Sequence, residues 1–327
     1  MIRRETLFIL GAGASNPYGF PTGGTLSSFL SGFSPGAIDS LYLRALDASE
    51  GALVDFSARF NGSGQYSIDS FLVKISARAP SVFKLGTGLI AAHISQFELD
   101  STLLNPPAPV DDWYRLLWNA ISGDVNSDWS QLAENKLKIV TFNYDRSLER
   151  FLFSKAKASW DLSNEDAAVV LSYFPIHHVH GSLGTLAHTS EGLTGEYRPL
   201  HNADEVQTAA SSLRLMHEDR ENGCPEHVGE WIVAAKQICF LGFGFDNQNI
   251  DRVRFPEIME ARFPWNSAAQ TRVNENPLHV FATTIGIPTA RVTELFSTRL
   301  NIPSPGAGYY LSAVSAAQSL REWNCLT

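Results

Sequence analysis

Thr6–Ser15 reads TLFILGAGAS, a five-residue run dominated by large apolar side chains that stops at Gly-Ala-Gly. A run this short, without a polar face, fits a strand buried on both sides of a parallel sheet better than one side of an amphipathic helix. The glycines permit a tight turn and close approach of backbone N–H groups to a phosphate, with the next helix adding its positive end. The pattern is Gly-x-Gly only, and the next glycine, Gly19, is off the usual dinucleotide spacing. An unliganded strand-to-helix turn has the same sequence.

Four further apolar segments repeat the strand pattern: Leu137–Thr141, Ile176–His180, Ile238–Leu241 and Leu278–Thr283. Helical periodicities separate them, which predicts an α/β fold: a doubly wound parallel sheet with helices on both faces. A first helix is expected over Thr25–Phe33 and a closing helix over Leu311–Trp323. Between the first two strands, LYLRALDASEGALVDFSARF, IDSFLVKISARA, LIAAHISQFELD and WYRLLWNAIS place apolar residues three and four apart. Breaks at Asn61–Gly64 and Asn105–Pro109 punctuate them. The chain therefore divides into a Rossmann-like core, residues 1–35 and 136–327, and a helical insertion subdomain, residues 36–135.

The chain has 327 residues, enough to bury about 75% of its unfolded surface without a metal or disulfide staple. Its 34 acidic and 25 basic residues give a net charge of −9, which argues against direct, sequence-independent nucleic-acid binding. Cys224, Cys239 and Cys325 form no CxxC pair, so neither a disulfide framework nor a zinc ribbon is expected, and a reducing cytoplasm suits them. The apolar stretch Leu7–Leu10 is too short for a secretory segment, and no apolar run approaches the ~20 residues that span a bilayer. The chain is read as cytoplasmic.

Candidate chemistry gathers where strands end. Asn143 and Asp145 follow the second strand, at the carboxyl edge where open α/β sheets bind ligands. An amide and a carboxylate two residues apart can hold ribose hydroxyls or a water; equally, Asp145 can cap the helix from Arg146. His177, His178 and His180 end the third strand, with His178 and His180 expected on one face. Nothing at a fitting spacing supplies a third and fourth metal ligand, so no metal is expected. His180, just before Gly181, suits a general base, and a strand-end histidine bonded to backbone would look alike. Gly242-Phe243-Gly244 closes the fourth strand and can lie beneath an adenosine or pack as a plain turn.

Taken in chain order, GAGAS, Gly19-Phe20-Pro21, Thr141-x-Asn143-x-Asp145, His180-Gly181 and the late Gly-x-Gly resemble the NAD-binding fold of the sirtuins. The resemblance covers roughly residues 5–35, 136–184 and 236–300 and leaves out the insertion. Sirtuin deacylases carry a four-cysteine zinc ribbon and Gly-Ile-Pro-Asp-Phe-Arg after the first loop; here Pro21 is followed by Thr22-Gly23. These departures look like the sirtuin-like NAD hydrolases (NADases) of bacterial antiphage defence. That resemblance implies cleavage of NAD, as substrate, to nicotinamide and ADP-ribose during abortive infection. It implies that Asn143 positions the ribose or water, that His180 accepts a proton, and that Asp145 fixes the turn and helps stabilise the cation. Gly11, Ala12, Gly13 and Ser15 would hold the pyrophosphate, and Pro21, Thr141, Gly181, Gly242, Phe243 and Gly244 would complete the binding set. A homo-oligomer is implied, restrained by a regulatory partner such as a HerA-type ATPase, a short Argonaute or a nucleotide-processing protein. The alternatives are a sensing module that binds NAD or an ADP-ribose derivative without turnover and, further off, an NAD-dependent protein deacylase.

Overall fold

The computed structural model describes residues 1–36, 38–104, 111–186, 196–214, 225–262, 278–300, 309–323 and 325–326. Its strands are β1 (Thr6–Leu10), β2 (Leu137–Thr141), β3 (Ile176–His178), β4 (Gln237–Leu241), β5 (His279–Thr283) and β6 (Tyr309–Ser312). They form one six-stranded, all-parallel sheet in the order β3-β2-β1-β4-β5-β6. This is the doubly wound order of a Rossmann-like fold, with the direction of winding reversing between β1 and β4.

Alternation along β1 explains why it carries no polar face. Phe8 and Leu10 enter one hydrophobic core while Leu7 and Ile9 enter another on the opposite side of the sheet. The second core is closed by α11 (Glu226–Ala234), α12 (Asn247–Arg252), α13 (Phe255–Arg262) and the helix Thr289–Thr298. The first is larger and takes α1 (Gly23–Leu30), α8 (Ser147–Trp160), α9 (Asn164–Ser172), α10 (Ala203–Ser211) and the helix Ala316–Trp323.

The segment between β1 and β2 contributes α2 (Ser40–Leu46), α3 (Glu50–Gly62), α4 (Ile68–Ile75), α5 (Pro80–Ser95), α6 (Asp100–Leu103) and α7 (Trp113–Ser122). Leu53, Phe56, Phe71, Leu89 and Trp113 share one continuous cluster with Phe8, Leu10 and Ile139. The helices of the insertion therefore share the core on one face of the sheet, where the Trp113 ring of α7 lies 6.2 Å from that of Phe8 on β1.

Three expectations need correction. Leu311–Trp323 is not one helix: Tyr309–Ser312 is a sixth strand in register with Val280–Thr283, and the helix starts only at Ala316, where Asp111 accepts the Ala316 and Ala317 N–H groups. The third strand ends at His178 rather than His180, because Gly181 turns the chain at φ +69°. The first helix begins at Gly23 behind the N-cap Thr22 and ends at Leu30; two short 3-10 turns, Ala12–Ala14 and Asn16–Tyr18, separate it from β1. The expected break at 105–109 and Cys224 lie outside the described residues.

One buried histidine gives the fold a pH signature. His93 on α5 stacks on Phe29 at 3.7 Å between ring centres and hydrogen-bonds the Tyr42 hydroxyl at 2.8 Å. Burial lowers its pKa from 6.5 to about 4. The unfolded chain thus binds a proton below 6.5 that the folded chain refuses until about 4, so stability falls across that interval as pH drops. His177, lowered to about 4 chiefly by burial, has the same sign. Urea unfolding at a series of pH values is expected to show a midpoint that falls below pH 6.5. His93→Gln should flatten that fall; an unchanged slope would remove His93 from the account.

Candidate functional site

A cavity of about 810 Å³ opens at the carboxyl edge of the sheet, at the β1/β4 switch point where such folds take ligands. Most of the predicted residues line it: Gly11, Ala12, Gly13, Ser15 and Pro21 after β1, Asn143 and Asp145 after β2, His180 after β3, and Gly242, Phe243 and Gly244 after β4. Thr141 and Gly181 do not. The Thr141 hydroxyl accepts the Asn143 N–H at 3.1 Å. Gly181 lets the chain pass against Ser212, whose carbonyl oxygen a Cβ would meet at 2.0 Å, while the Arg214 N–H reaches the His180 carbonyl at 2.7 Å. Both act by placing the two residues beside them.

Two of the N–H groups expected to approach a phosphate are engaged within the fold. The Gly11 and Gly13 N–H groups donate to the carbonyls of Leu241 and Gly242, both at 3.0 Å, so they are engaged by the β4 loop rather than open to a phosphate. A Cβ on Gly11 would sit 2.5 Å from the Gly242 carbonyl oxygen. Gly242 lies at φ +57°, where a Cβ would fall 2.1 Å from the Ala14 nitrogen. The Gly-x-Gly pair is thus a lock between two loops. Gly242→Ala is expected to cost more than about 2 kcal/mol of stability in chemical denaturation, from left-handed strain plus the clash. A cost within ~0.5 kcal/mol would show that the loops yield.

Donors suited to an anion sit one element later. Gly23 and Gly24 form the first turn of α1 and line the cavity, and the N–H groups of a first turn have no partner within their own helix. Ser27, one turn on, also lines the cavity; its buried hydroxyl has no partner among the described residues. The N-cap Thr22 before a Gly-Gly pair is the sequence signal that could have pointed here.

Asn143 is held from three sides. Its side-chain N–H donates to the Ser15 hydroxyl at 3.2 Å, its backbone N–H is taken by Thr141, and its carbonyl accepts from His178 Nδ1 at 2.9 Å. His178 also meets the Glu149 carboxylate through Nε2. Burial opposes charge on that imidazole, but Glu149 outweighs it and the His178 pKa rises. His178 therefore does not share a face with His180 as expected; it turns to α8 and braces Asn143. Asp145 accepts the backbone N–H of Ser147, the first residue of α8, at 3.1 Å, and also the Ser147 hydroxyl, so it serves the helix start one residue beyond the expected position. Burial raises its pKa, against the pull of the Ser147 and Ser15 hydrogen bonds.

His180 is buried between the Phe142 and Tyr144 rings, with centroids 5.4 and 6.0 Å away. Its Nε2 faces the Asn249 side-chain oxygen at 3.1 Å and so carries the proton. Burial lowers its pKa, which keeps the ring neutral and Nδ1 a free base. Two buried acceptors, Asn143 Oδ1 and His180 Nδ1, thus belong to cavity-lining residues and have no partner among the described residues. Buried polar atoms of this kind ask for a ligand or water.

Sequence reasoning missed the insertion's share of the wall. Tyr66, Ser67, Ile68 and Asp69 line the cavity, with Tyr66 at the rim and almost fully exposed. The Tyr144 hydroxyl donates to Asp69 at 2.6 Å across 75 residues of sequence, and no local pattern announces that contact. Among the described residues, no cluster of three His, Cys, Asp or Glu could hold a metal, and no helix is long and apolar enough to cross a membrane. No family model matches the chain, and no curated protein matches its sequence.

Proposed function

We propose that the chain is an NAD hydrolase that cleaves the nicotinamide–ribosyl bond to give nicotinamide and ADP-ribose. The observation that carries this reading is a pair of buried acceptors, Asn143 Oδ1 and His180 Nδ1, without a partner among the described residues, on one cavity at the switch point of a Rossmann-like sheet. The cavity volume suits a small-molecule ligand. The first turn of α1 and Ser27 offer donors for the pyrophosphate, and the β4 loop offers Phe243 as an apolar floor.

The chemistry asks little of a general acid, because the C–N electron pair is received by a cationic pyridinium nitrogen and leaves it neutral. Charge builds instead on the ribose, as in other glycosidic cleavages. A water accepted by Asn143 Oδ1 and His180 Nδ1 would stand ready to attack the ribose carbon and pass its proton to His180. Asp145, whose carboxyl group is spent on Ser147, supports the turn.

From the sirtuin-like resemblance of the motifs, the enzyme is read as an NAD-depleting effector of antiphage defence, assembled as a homo-oligomer and released by a regulatory partner. A HerA-type ATPase, a short Argonaute and a nucleotide-processing protein are the candidates. The test is incubation of the chain with NAD, alone and with each candidate, followed by separation of products. Equimolar nicotinamide and ADP-ribose, far more abundant with the partner, are expected. Binding of NAD without loss of it in any combination would replace the enzyme with a sensor.

A further inference from the structure

The cavity is chemically lopsided. Asp69, Asp111 and Asp145 line it, and among the described residues no lysine or arginine does. Such a wall disfavours a plain polyanion and favours a ligand that brings a positive charge of its own.

The three carboxylates are not equivalent. Asp111 accepts the Ala316 and Ala317 N–H groups and so caps the last helix. Asp145 is taken by the Ser147 N–H and hydroxyl at the start of α8. Asp69 receives only neutral side-chain hydroxyls, Tyr144 at 2.6 Å and Ser67 at 3.4 Å, and forms no ion pair among the described residues. It is half-buried, and its field reaches His180, pulling that ring's pKa up against the larger depression from burial, while Arg252 of α12 acts in the opposite sense. Tyr144 lies between Asn143 and Asp145 in sequence, so its hydroxyl ties α4 of the insertion to the turn that carries the site.

We propose that Asp69, supplied by the helical insertion, is the specificity-determining residue of the cavity: its carboxylate faces the positively charged end of the ligand, so the site takes the oxidised pyridinium dinucleotide over the uncharged dihydropyridine form. The proposal rests on reading the cavity as a dinucleotide site. It gives the insertion a part in recognition, since Asp145, which follows β2 at this wall, is already taken by the Ser147 N–H and hydroxyl.

The test is calorimetric titration of the full chain with NAD, with its reduced form and with ADP-ribose, for wild type, Asp69→Asn and Tyr144→Phe. Wild type should bind the oxidised form about tenfold more tightly than the reduced form. Asp69→Asn should bring that ratio near one and leave ADP-ribose affinity within about twofold, which also reports that the variant is folded. Tyr144→Phe, which frees the carboxylate from its anchor, should give an intermediate ratio. If Asp69→Asn retains the wild-type ratio and merely unfolds more easily, Asp69 is a structural anchor and the proposal is overturned while the dinucleotide reading stands. If Asp69→Asn cannot bind ADP-ribose, Tyr144→Phe decides, and a wild-type ratio there overturns the proposal. Failure of wild type to bind any of the three overturns both readings together.

Discussion

On the proposed NAD hydrolase reading, Asn143→Ala and His180→Ala are each expected to lower NAD turnover by roughly 10²–10⁴-fold, with ADP-ribose binding close to wild type. The expectation follows from what each side chain leaves free. Asn143 spends its N–H on Ser15 and keeps Oδ1; His180 spends Nε2 on Asn249 and keeps Nδ1. If both acceptors hold one water, removing either forfeits its orientation, and the double variant should be little worse than the worse single one. Independent roles would instead multiply the two losses. The pH profile gives a further check. Burial depresses the His180 pKa, so the base form persists through neutrality and the rate should fall only below the ordinary histidine range. His178→Asn should act more mildly, through the lost brace on the Asn143 carbonyl. Turnover unchanged in both alanine variants would remove the catalytic assignment altogether.

How far these features could be read from residues depends on whether a local pattern carried them. β1 was legible because burial in two cores leaves its large residues apolar, and TLFIL is what that demands. β6 was not: Tyr309 and Leu311 are only partly buried and Tyr310 is exposed, and a four-residue edge strand beside a helical pattern merges with it until its partner β5 is in place. Asn143, Asp145 and His180 were legible because each immediately follows a strand signal, and a parallel sheet brings such positions to one edge. Asp69, Asn249 and Ser27 were not, since only tertiary packing of α4, α12 and α1 carries them there. The glycines were found for an incomplete reason. A sequence does not distinguish a glycine that admits a phosphate from one that admits another loop, and Gly11, Gly13 and Gly242 chiefly do the second.

Breaking the ion pair between Glu98 and Arg146 should cost the fold more than any other single change considered, about 3–5 kcal/mol. Glu98 follows α5 in the insertion and Arg146 directly precedes α8; both side chains are essentially inaccessible. Arg146 meets Glu98 through Nε at 3.0 Å and through Nη2, donates its backbone N–H to the same carboxylate at 3.2 Å, and reaches the Glu196 carbonyl at 2.9 Å. Glu98→Gln leaves a buried guanidinium without its counter-charge, and Arg146→Met leaves a buried carboxylate; each variant therefore carries the desolvation cost without the attraction that offset it. Replacing both by apolar residues, Glu98→Leu with Arg146→Met, removes both charges and should recover much of the loss, so urea unfolding of the two singles and the double should show strong coupling. The pair also bears on the site, because Arg146 stands between Asp145 and Ser147 at the turn behind Asn143. The double variant should therefore regain stability more fully than turnover, since an apolar pair fills the space but does not hold the Arg146 N–H that fixes the turn. Single variants costing under ~1 kcal/mol would show that packing alone docks the insertion, and equal recovery of stability and turnover would show that the turn keeps its shape without the pair.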